Sequence, residues 1–114
     1  MSMARGRVFD EHRLPRGVVM LVTSILADYE RRAAVLREGG EVTSAVLERY
    51  RELNGAVDAA LEGLEVAIRR DMMCDIALGR GYRKSCVQYI LSKNAYYKRR
   101  RKVVYDVALR LQLL

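Results

Sequence analysis

Residues 82–111, YRKSCVQYILSKNAYYKRRRKVVYDVALRL, decide the fold of the C-terminal part of this 114-residue chain. They predict a short helix, a tight turn at Leu91 and Ser92, and a long second helix. Serine is a good N-cap because its hydroxyl accepts a hydrogen bond from an unpaired N–H group of the next turn. Apolar residues then recur at helical spacing, which predicts a buried stripe along the second helix. The stripe comprises Tyr96, Val103, Val104, Val107, Ala108 and Leu111.

The opposite side of the second helix is polar and cationic, with an unbroken basic run at residues 98–102. A short helix followed by a helix that is buried on one side and basic on the other is typical of a helix-turn-helix, whose second helix enters the major groove of DNA. We expect Lys93 to donate to guanine and Asn94 to bind adenine. Tyr97 and Lys98 are expected to reach a base edge or a phosphate, and Arg101 and Lys102 to hold phosphates. The candidate DNA-binding residues are Arg83, Lys84, Lys93, Asn94, Tyr97, Lys98, Arg101 and Lys102.

The short helix is expected to span residues 83–91, with Cys86, Val87, Ile90 and Leu91 pointing inwards. Two cations at its start are unfavourable within the chain, because a helix N-terminus is itself positive. A phosphate from outside the chain would explain them, and a solvated helix end is the alternative. For the basic side of the second helix, the alternative to DNA binding is likewise a solvated face.

Charge divides the chain into two parts. Residues 1–68 hold nine basic and eleven acidic residues, whereas residues 69–114 hold twelve basic and three acidic ones, within a net charge of +7. A basic part attached to a near-neutral part is typical of a nucleic-acid module joined to an assembly module. We therefore predict an N-terminal arm at residues 1–14, a self-associating helical hairpin at 15–68 and a DNA-binding module at 69–114.

The hairpin is predicted from two long helical patterns. The first helix opens at Pro15 and ends at Gly39 and Gly40, with its charged residues, Arg32 among them, off the apolar stripe. The second begins near residues 42–43 and is expected to continue through Asn54 despite the glycine that follows. Its heptad seam predicts coiled-coil-like packing, within one chain or between two. The seam comprises Val46, Tyr50, Leu53, Val57, Ala60, Leu64 and Ala67.

Other functional classes find little support in the composition. A single histidine, His12, and two cysteines at no ligand spacing predict neither a metal site nor a cofactor. Cys74 and Cys86 are expected to be small buried residues. No catalytic pair is visible, so we expect no enzyme. The longest apolar run is too short to span a membrane, and no signal-peptide core is visible, so a cytoplasmic location is expected.

Residues 69–114 resemble the C-terminal region of the small phage and prophage late-gene transcription regulators of the ArpU and RinA type. Those proteins are similar to sigma-factor region 4, in which a helix and a Ser-led turn precede a helix of the form S-x-x-x-Y-x-x-x-R/K. The resemblance implies a sigma-like helix-turn-helix that binds promoter DNA, with RNA polymerase as a further partner. The matching residues are Ser92, Tyr96, Arg100, Val103, Val104, Val107, Ala108 and Leu111.

Two hypotheses of different class follow. The first is an all-α, phage-derived transcription regulator that binds double-stranded DNA and forms a homodimer through its N-terminal helices. The second is a helical assembly protein, such as a phage small terminase subunit, whose basic end meets an acidic partner or packaged DNA. A regulator is expected to be a dimer, whereas a terminase subunit forms rings of many copies.

Overall fold

The computed structural model describes residues 13–114, so most of the predicted arm at residues 1–14 lies outside the described residues. The prediction of an all-α fold is confirmed, because α-helices and short 3-10 turns are the only regular elements between residues 13 and 114. The α-helices are α1 (Arg16–Ala27), α2 (Tyr29–Glu38), α3 (Ser44–Glu62), α4 (Arg69–Leu78) and α5 (Lys93–Arg110), and the 3-10 turns are Val66–Ile68, Tyr82–Lys84 and Cys86–Tyr89.

The predicted first helix is two helices, α1 and α2, because the chain is interrupted at Asp28. The guanidinium of Arg32 donates to the carbonyl of Ile25 at 2.5 Å, the acceptor that the N–H of Tyr29 would use in an unbroken helix. A side chain that enters the hydrogen-bond ladder in this way kinks a helix. Arg32 is therefore buried, and the expectation that it lies off the buried stripe was wrong.

Helices α2 and α3 pack against each other and run antiparallel. Tyr29 donates to Asp58 at 2.6 Å, and three residues later Arg32 donates to the side-chain oxygen of Asn54 at 2.7 Å. The partners move backwards along α3 as the chain advances along α2, as an antiparallel pair requires. Gly39, with a φ of 70°, ends α2 and begins the predicted turn.

Helix α3 runs without interruption through Asn54 and Gly55, as predicted. It ends at Glu62, before the last positions of the predicted heptad seam, of which Ala67 is exposed. The middle of the seam is covered by other helices of the same chain, so this part of it closes within one molecule. Its buried residues are Val57, Ala60 and Leu64.

One hydrophobic core joins the N-terminal and C-terminal helices. Helix α5 packs against α3 and α1, and α1 also packs against α4. Residues 15–68 and 69–114 therefore contribute to the same core rather than to two. Its largest fully buried apolar side chains are Val22, Val57, Ile68, Met72, Val87, Tyr96, Val103 and Val107.

The segment between α4 and α5 differs from the predicted short helix at residues 83–91. Ser85 is extended, with φ −96° and ψ 141°, and its hydroxyl accepts the N–H of Val87 at 3.0 Å, so it separates two 3-10 turns. A 3-10 turn has three residues per turn rather than 3.6, which shifts the inward positions. Val87 is buried as predicted, but Cys86 and Ile90, which were predicted to be buried, are exposed.

Candidate nucleic-acid interface

Helix α5 begins where the sequence predicted. The hydroxyl of Ser92 accepts the N–H of Ala95 at 3.3 Å and caps the helix. The predicted apolar stripe is buried from Tyr96 to Ala108, and Leu111 is half-buried at its end. Because this stripe lies against α3 and α1, the opposite side of α5 is turned outwards.

Three polar residues on the outer side of α5 share one line. Asn94, Lys98 and Arg101 follow a spacing of four and then three residues, which places them on one face of a helix. All three are exposed, and Tyr105, half-buried, continues the line. We call Asn94, Lys98 and Arg101 the α5 stripe.

The basic run at residues 98–102 has three different roles in the structure. Arg99 donates to Glu65 at 2.9 Å, and this hydrogen bond lowers the pKa of Glu65. Lys102 forms an ion pair with Asp106 at 3.0 Å. Lys98 and Arg101 have no ion-pair partner within residues 13–114. These two cations are therefore the ones left free to meet an external anion.

Arg100, the middle residue of the run, belongs to a buried polar cluster instead. Its guanidinium lies over the ring of Tyr96 and donates to the Tyr96 hydroxyl at 2.7 Å. It also donates to the backbone carbonyl of Arg80, which ties α5 to the chain after α4.

The centre of the cluster is the carboxylate of Asp75, which is 1% exposed. The hydroxyl of Tyr96 donates to it at 2.9 Å, and burial, followed by this hydrogen bond, raises the pKa of Tyr96. Arg80 Nε lies 3.3 Å from the other carboxylate oxygen, yet it is buried without a hydrogen bond of good geometry among the described residues. The contact between Arg80 and Asp75 is therefore an ion pair without a hydrogen bond. A buried carboxylate beside a cation and a hydroxyl keeps its charge compensated.

A concave surface of about 450 Å³ lies between the chain after α4 and the first turns of α5. Gly79, with a φ of 69°, ends α4 in the left-handed conformation and turns the chain along one side of this surface. We call it the 79–84 groove. Its lining residues are Leu78, Gly79, Arg80, Gly81, Tyr82, Arg83, Lys84, Lys93 and Tyr97.

Tyr97 stands at the inner wall of the groove. Its hydroxyl accepts the backbone N–H of Tyr82 at 3.2 Å, and a Cβ added at Gly81 would lie 3.1 Å from it. The ring packs edge-on against Tyr96, with centroids 4.9 Å apart. Tyr97 was predicted to reach a base edge or a phosphate, and the structure shows that its hydroxyl holds the backbone of the groove.

The predicted site residues thus fall into two neighbouring groups and one exception. Four of them line the 79–84 groove and three form the α5 stripe, while Lys102 is engaged with Asp106. A smaller depression of about 240 Å³ connects the two groups, because Tyr97 and Arg101 both line it. The four groove residues are Arg83, Lys84, Lys93 and Tyr97.

Sequence reasoning missed the polar residues that support this surface. Asp75 and Arg80 read as ordinary surface charges in the sequence, although both contribute to the buried cluster. One signal was present: Asp75 is spaced three residues from Met72 and one from Ile76, both buried, so it lies next to the inner face of α4.

The described residues give little support to a metal site, to a pair of buried cysteines or to a membrane-spanning helix. Within residues 13–114, no three His, Cys, Asp or Glu side chains gather as a metal site would require. Cys74 is half-buried and Cys86 is exposed, and both are free thiols, so the expectation that both are buried was wrong. None of the helices in the described part of the chain is long and apolar enough to cross a membrane.

Comparison with known proteins identifies no relative. The sequence matches no family model, and no curated protein or solved structure is significantly similar to it. The resemblance of residues 69–114 to the ArpU and RinA regulators therefore stays a prediction that rests on the residues quoted for it.

Proposed function

We propose that this protein binds double-stranded DNA in a sequence-dependent manner through α5, as a transcription regulator of the phage type would. The observation that supports this most directly is the division of the basic run. Arg99, Arg100 and Lys102 are engaged with other residues of the chain, while Lys98 and Arg101 stay exposed on one line with Asn94. A helix that is docked on one side and presents amide and cationic groups on the other suits the major groove.

In this proposal the α5 stripe reads bases and the 79–84 groove lies beside the phosphate backbone. Asn94, near the helix start, can bond adenine with both groups of its amide, and Lys98 and Arg101 can donate to guanine or to phosphates. Each base contact of this kind contributes about 1–3 kcal/mol of discrimination. A dimer through the N-terminal helices and contact with RNA polymerase remain parts of the same proposal.

The test is a fluorescence anisotropy titration of duplexes from the neighbouring genomic DNA and of scrambled duplexes, at two salt concentrations. We expect the variant Asn94→Ala, Lys98→Ala, Arg101→Ala to lose its preference for the genomic duplex. The matched control, Arg37→Ala with Arg51→Ala, removes the same charge from exposed positions of α2 and α3 and should retain that preference. Equal preference in the wild type and the stripe variant would contradict the assigned face.

A second candidate, an assembly protein such as a small terminase subunit, is favoured by one observation on α1. Three consecutive apolar residues there, Val19, Met20 and Leu21, are 37%, 60% and 48% exposed. Several exposed apolar side chains on one helix can mark a protein–protein contact. Analytical ultracentrifugation separates the two, because a regulator is expected to sediment as a dimer and a terminase subunit as a ring.

A further inference from the structure

The 79–84 groove carries more positive charge than its own chain neutralises. Four of its nine lining residues are cationic and none is acidic. Arg83, Lys84 and Lys93 have no ion-pair partner in the described part of the chain, and Arg80 shares the single carboxylate of Asp75 with Tyr96. Cations held around one depression repel each other, so an anion placed among them lowers the free energy of the whole group.

The backbone that forms the groove is fixed from three sides. The N–H of Arg80 donates to the carbonyl of Asp75 at 2.8 Å, and the carbonyl of Arg80 accepts from Arg100. The N–H of Tyr82 donates to Tyr97 at 3.2 Å. Because this backbone is already held in place before a ligand binds, less binding free energy is lost to conformational entropy.

The position of α5 adds to the preference for an anion. Lys93 is the first residue of this 18-residue helix, so the positive end of the helix dipole lies at the groove together with the lysine side chain. The groove volume of about 450 Å³ is within the range of small-molecule sites, about 300–1,000 Å³. A tetrahedral oxyanion can accept from several donors at once, which suits arginine and lysine side chains that line one depression from two elements.

We propose that the 79–84 groove is a phosphate site in which Arg83, Lys84 and Lys93 bind one phosphate group. If the phosphate group belongs to a DNA backbone, this inference rests on the proposed function. The groove then adds a fixed contact to the DNA backbone beside the α5 stripe. Binding of the phosphate group itself does not depend on DNA and is measured separately.

The probe is pyrophosphate, titrated into the full-length, ¹⁵N-labelled protein at constant ionic strength maintained with NaCl. We expect saturable shifts of the amide signals of Gly81 and Lys93. The groove variant, Arg83→Gln, Lys84→Gln, Lys93→Gln, should bind at least about tenfold more weakly, which corresponds to about 1.4 kcal/mol. All three side chains are exposed, so the variant is expected to keep its fold.

A charge-matched control separates a site from general attraction. The variant Arg37→Gln, Arg51→Gln, Arg110→Gln removes the same number of charges from exposed positions outside the groove and outside the α5 stripe. We expect it to retain most of the pyrophosphate affinity. Equal weakening in both variants, or shifts that do not saturate in the wild type, would overturn the proposal.

The same variants identify the source of the phosphate. If it is the DNA backbone, the groove variant lowers the slope of log K against log salt for a scrambled duplex by about 0.9 for each phosphate that it no longer neutralises. An unchanged slope, in a groove variant that no longer binds pyrophosphate, assigns the site to a free phosphate ester. Base preference is tested with the stripe variant, so the two proposals can fail independently.

Discussion

At the scale of single residues, Tyr96 connects the apolar core with the polar surface. Its ring is fully buried with the apolar stripe of α5, while its hydroxyl bonds to Asp75 and Arg100. A phenylalanine would fill the same space but would leave a buried carboxylate with one hydrogen bond fewer. Buried acceptors that lose a donor are destabilising because they have already lost water.

We therefore expect Tyr96→Phe to lower the free energy of unfolding by about 1–3 kcal/mol, measured by urea denaturation. The matched control is Tyr89→Phe, because the Tyr89 side chain is 85% exposed and its hydroxyl stays hydrated in both states. A decrease no larger than that of the control would show that the hydrogen bond to Asp75 contributes little.

Tyr29 gives the protein a pH dependence in the alkaline range. Its hydroxyl donates to Asp58, and this hydrogen bond, with burial, raises the pKa of Tyr29 to about 12 from an ordinary value of about 10. The folded state thus holds the proton more tightly than the unfolded state. The stability from this contact is complete below about pH 10 and disappears as the pH rises towards 12.

Absorbance titration of the tyrosines tests this directly. In the variant Asp58→Asn we expect one late-titrating tyrosine, Tyr29, to ionise at lower pH, because an amide accepts the hydrogen bond without a negative charge, whereas the late titration of Tyr96 should not change. A titration curve identical to that of the wild type would contradict the assignment of the raised pKa to the Tyr29–Asp58 hydrogen bond.

At the scale of helices, the features that depend on residue spacing and end-capping were predicted correctly from the sequence. The inner face of α5, its Ser92 cap, the continuity of α3 and the glycine turns all follow from local rules of spacing and capping. The division of the first helix at Asp28 could not be predicted in this way. It depends on Arg32 reaching Asn54, 22 positions later, and such a pairing exists only once α2 and α3 have packed.

The segment at residues 83–91 was missed for a similar reason. Its residue pattern fits a helix. However, the Ser85 hydroxyl accepts the backbone N–H of Val87, and the Tyr82 hydroxyl donates to the carbonyl of Leu91 at 2.7 Å. These contacts stabilise two 3-10 turns in the place of one α-helix. The residues of the candidate interface could be identified from the sequence, whereas their separation into a stripe and a groove required the tertiary structure.

The buried contact that divides α1 from α2 can be measured by a double-mutant cycle. We expect Arg32→Met and Asn54→Leu to be coupled by about 1–3 kcal/mol in the free energy of unfolding, because each residue is buried and each hydrogen-bonds to the other. Burial lowers the pKa of Arg32, but an arginine stays charged, so removing its partner is costly. A coupling near zero would mean that Arg32 acts through the carbonyl of Ile25 and the ion pair with Asp28 rather than through Asn54.

At the scale of the whole molecule, the proposed DNA-binding surface depends on helices from both parts of the chain. The inner face of α5 lies on α3 and α1, so residues 69–114 alone would expose most of the surface that α5 now buries. Small chains that lose their core rarely fold without a partner.

We expect a fragment of residues 69–114 to show little helical circular dichroism and no cooperative thermal transition. The full-length chain, measured at the same concentration, is the control and should melt cooperatively. A fragment that melts cooperatively would show that the C-terminal part is a domain in its own right, as the charge distribution alone suggests.

The divided basic run also limits how this sequence can vary. Lysine and arginine carry the same charge, so the five positions at residues 98–102 look equivalent when only charge is compared. Lys98 and Arg101 point outwards and bond to no other side chain of the described residues, so the fold itself accepts either residue type at these two positions. Arg100 is more constrained, because its guanidinium lies over the Tyr96 ring and donates to two separate oxygens, an arrangement that suits a long, planar, delocalised cation better than an ammonium group. Among homologous chains, the fold is therefore expected to keep arginine at position 100, whereas any constraint on Lys98 and Arg101 comes from what α5 binds.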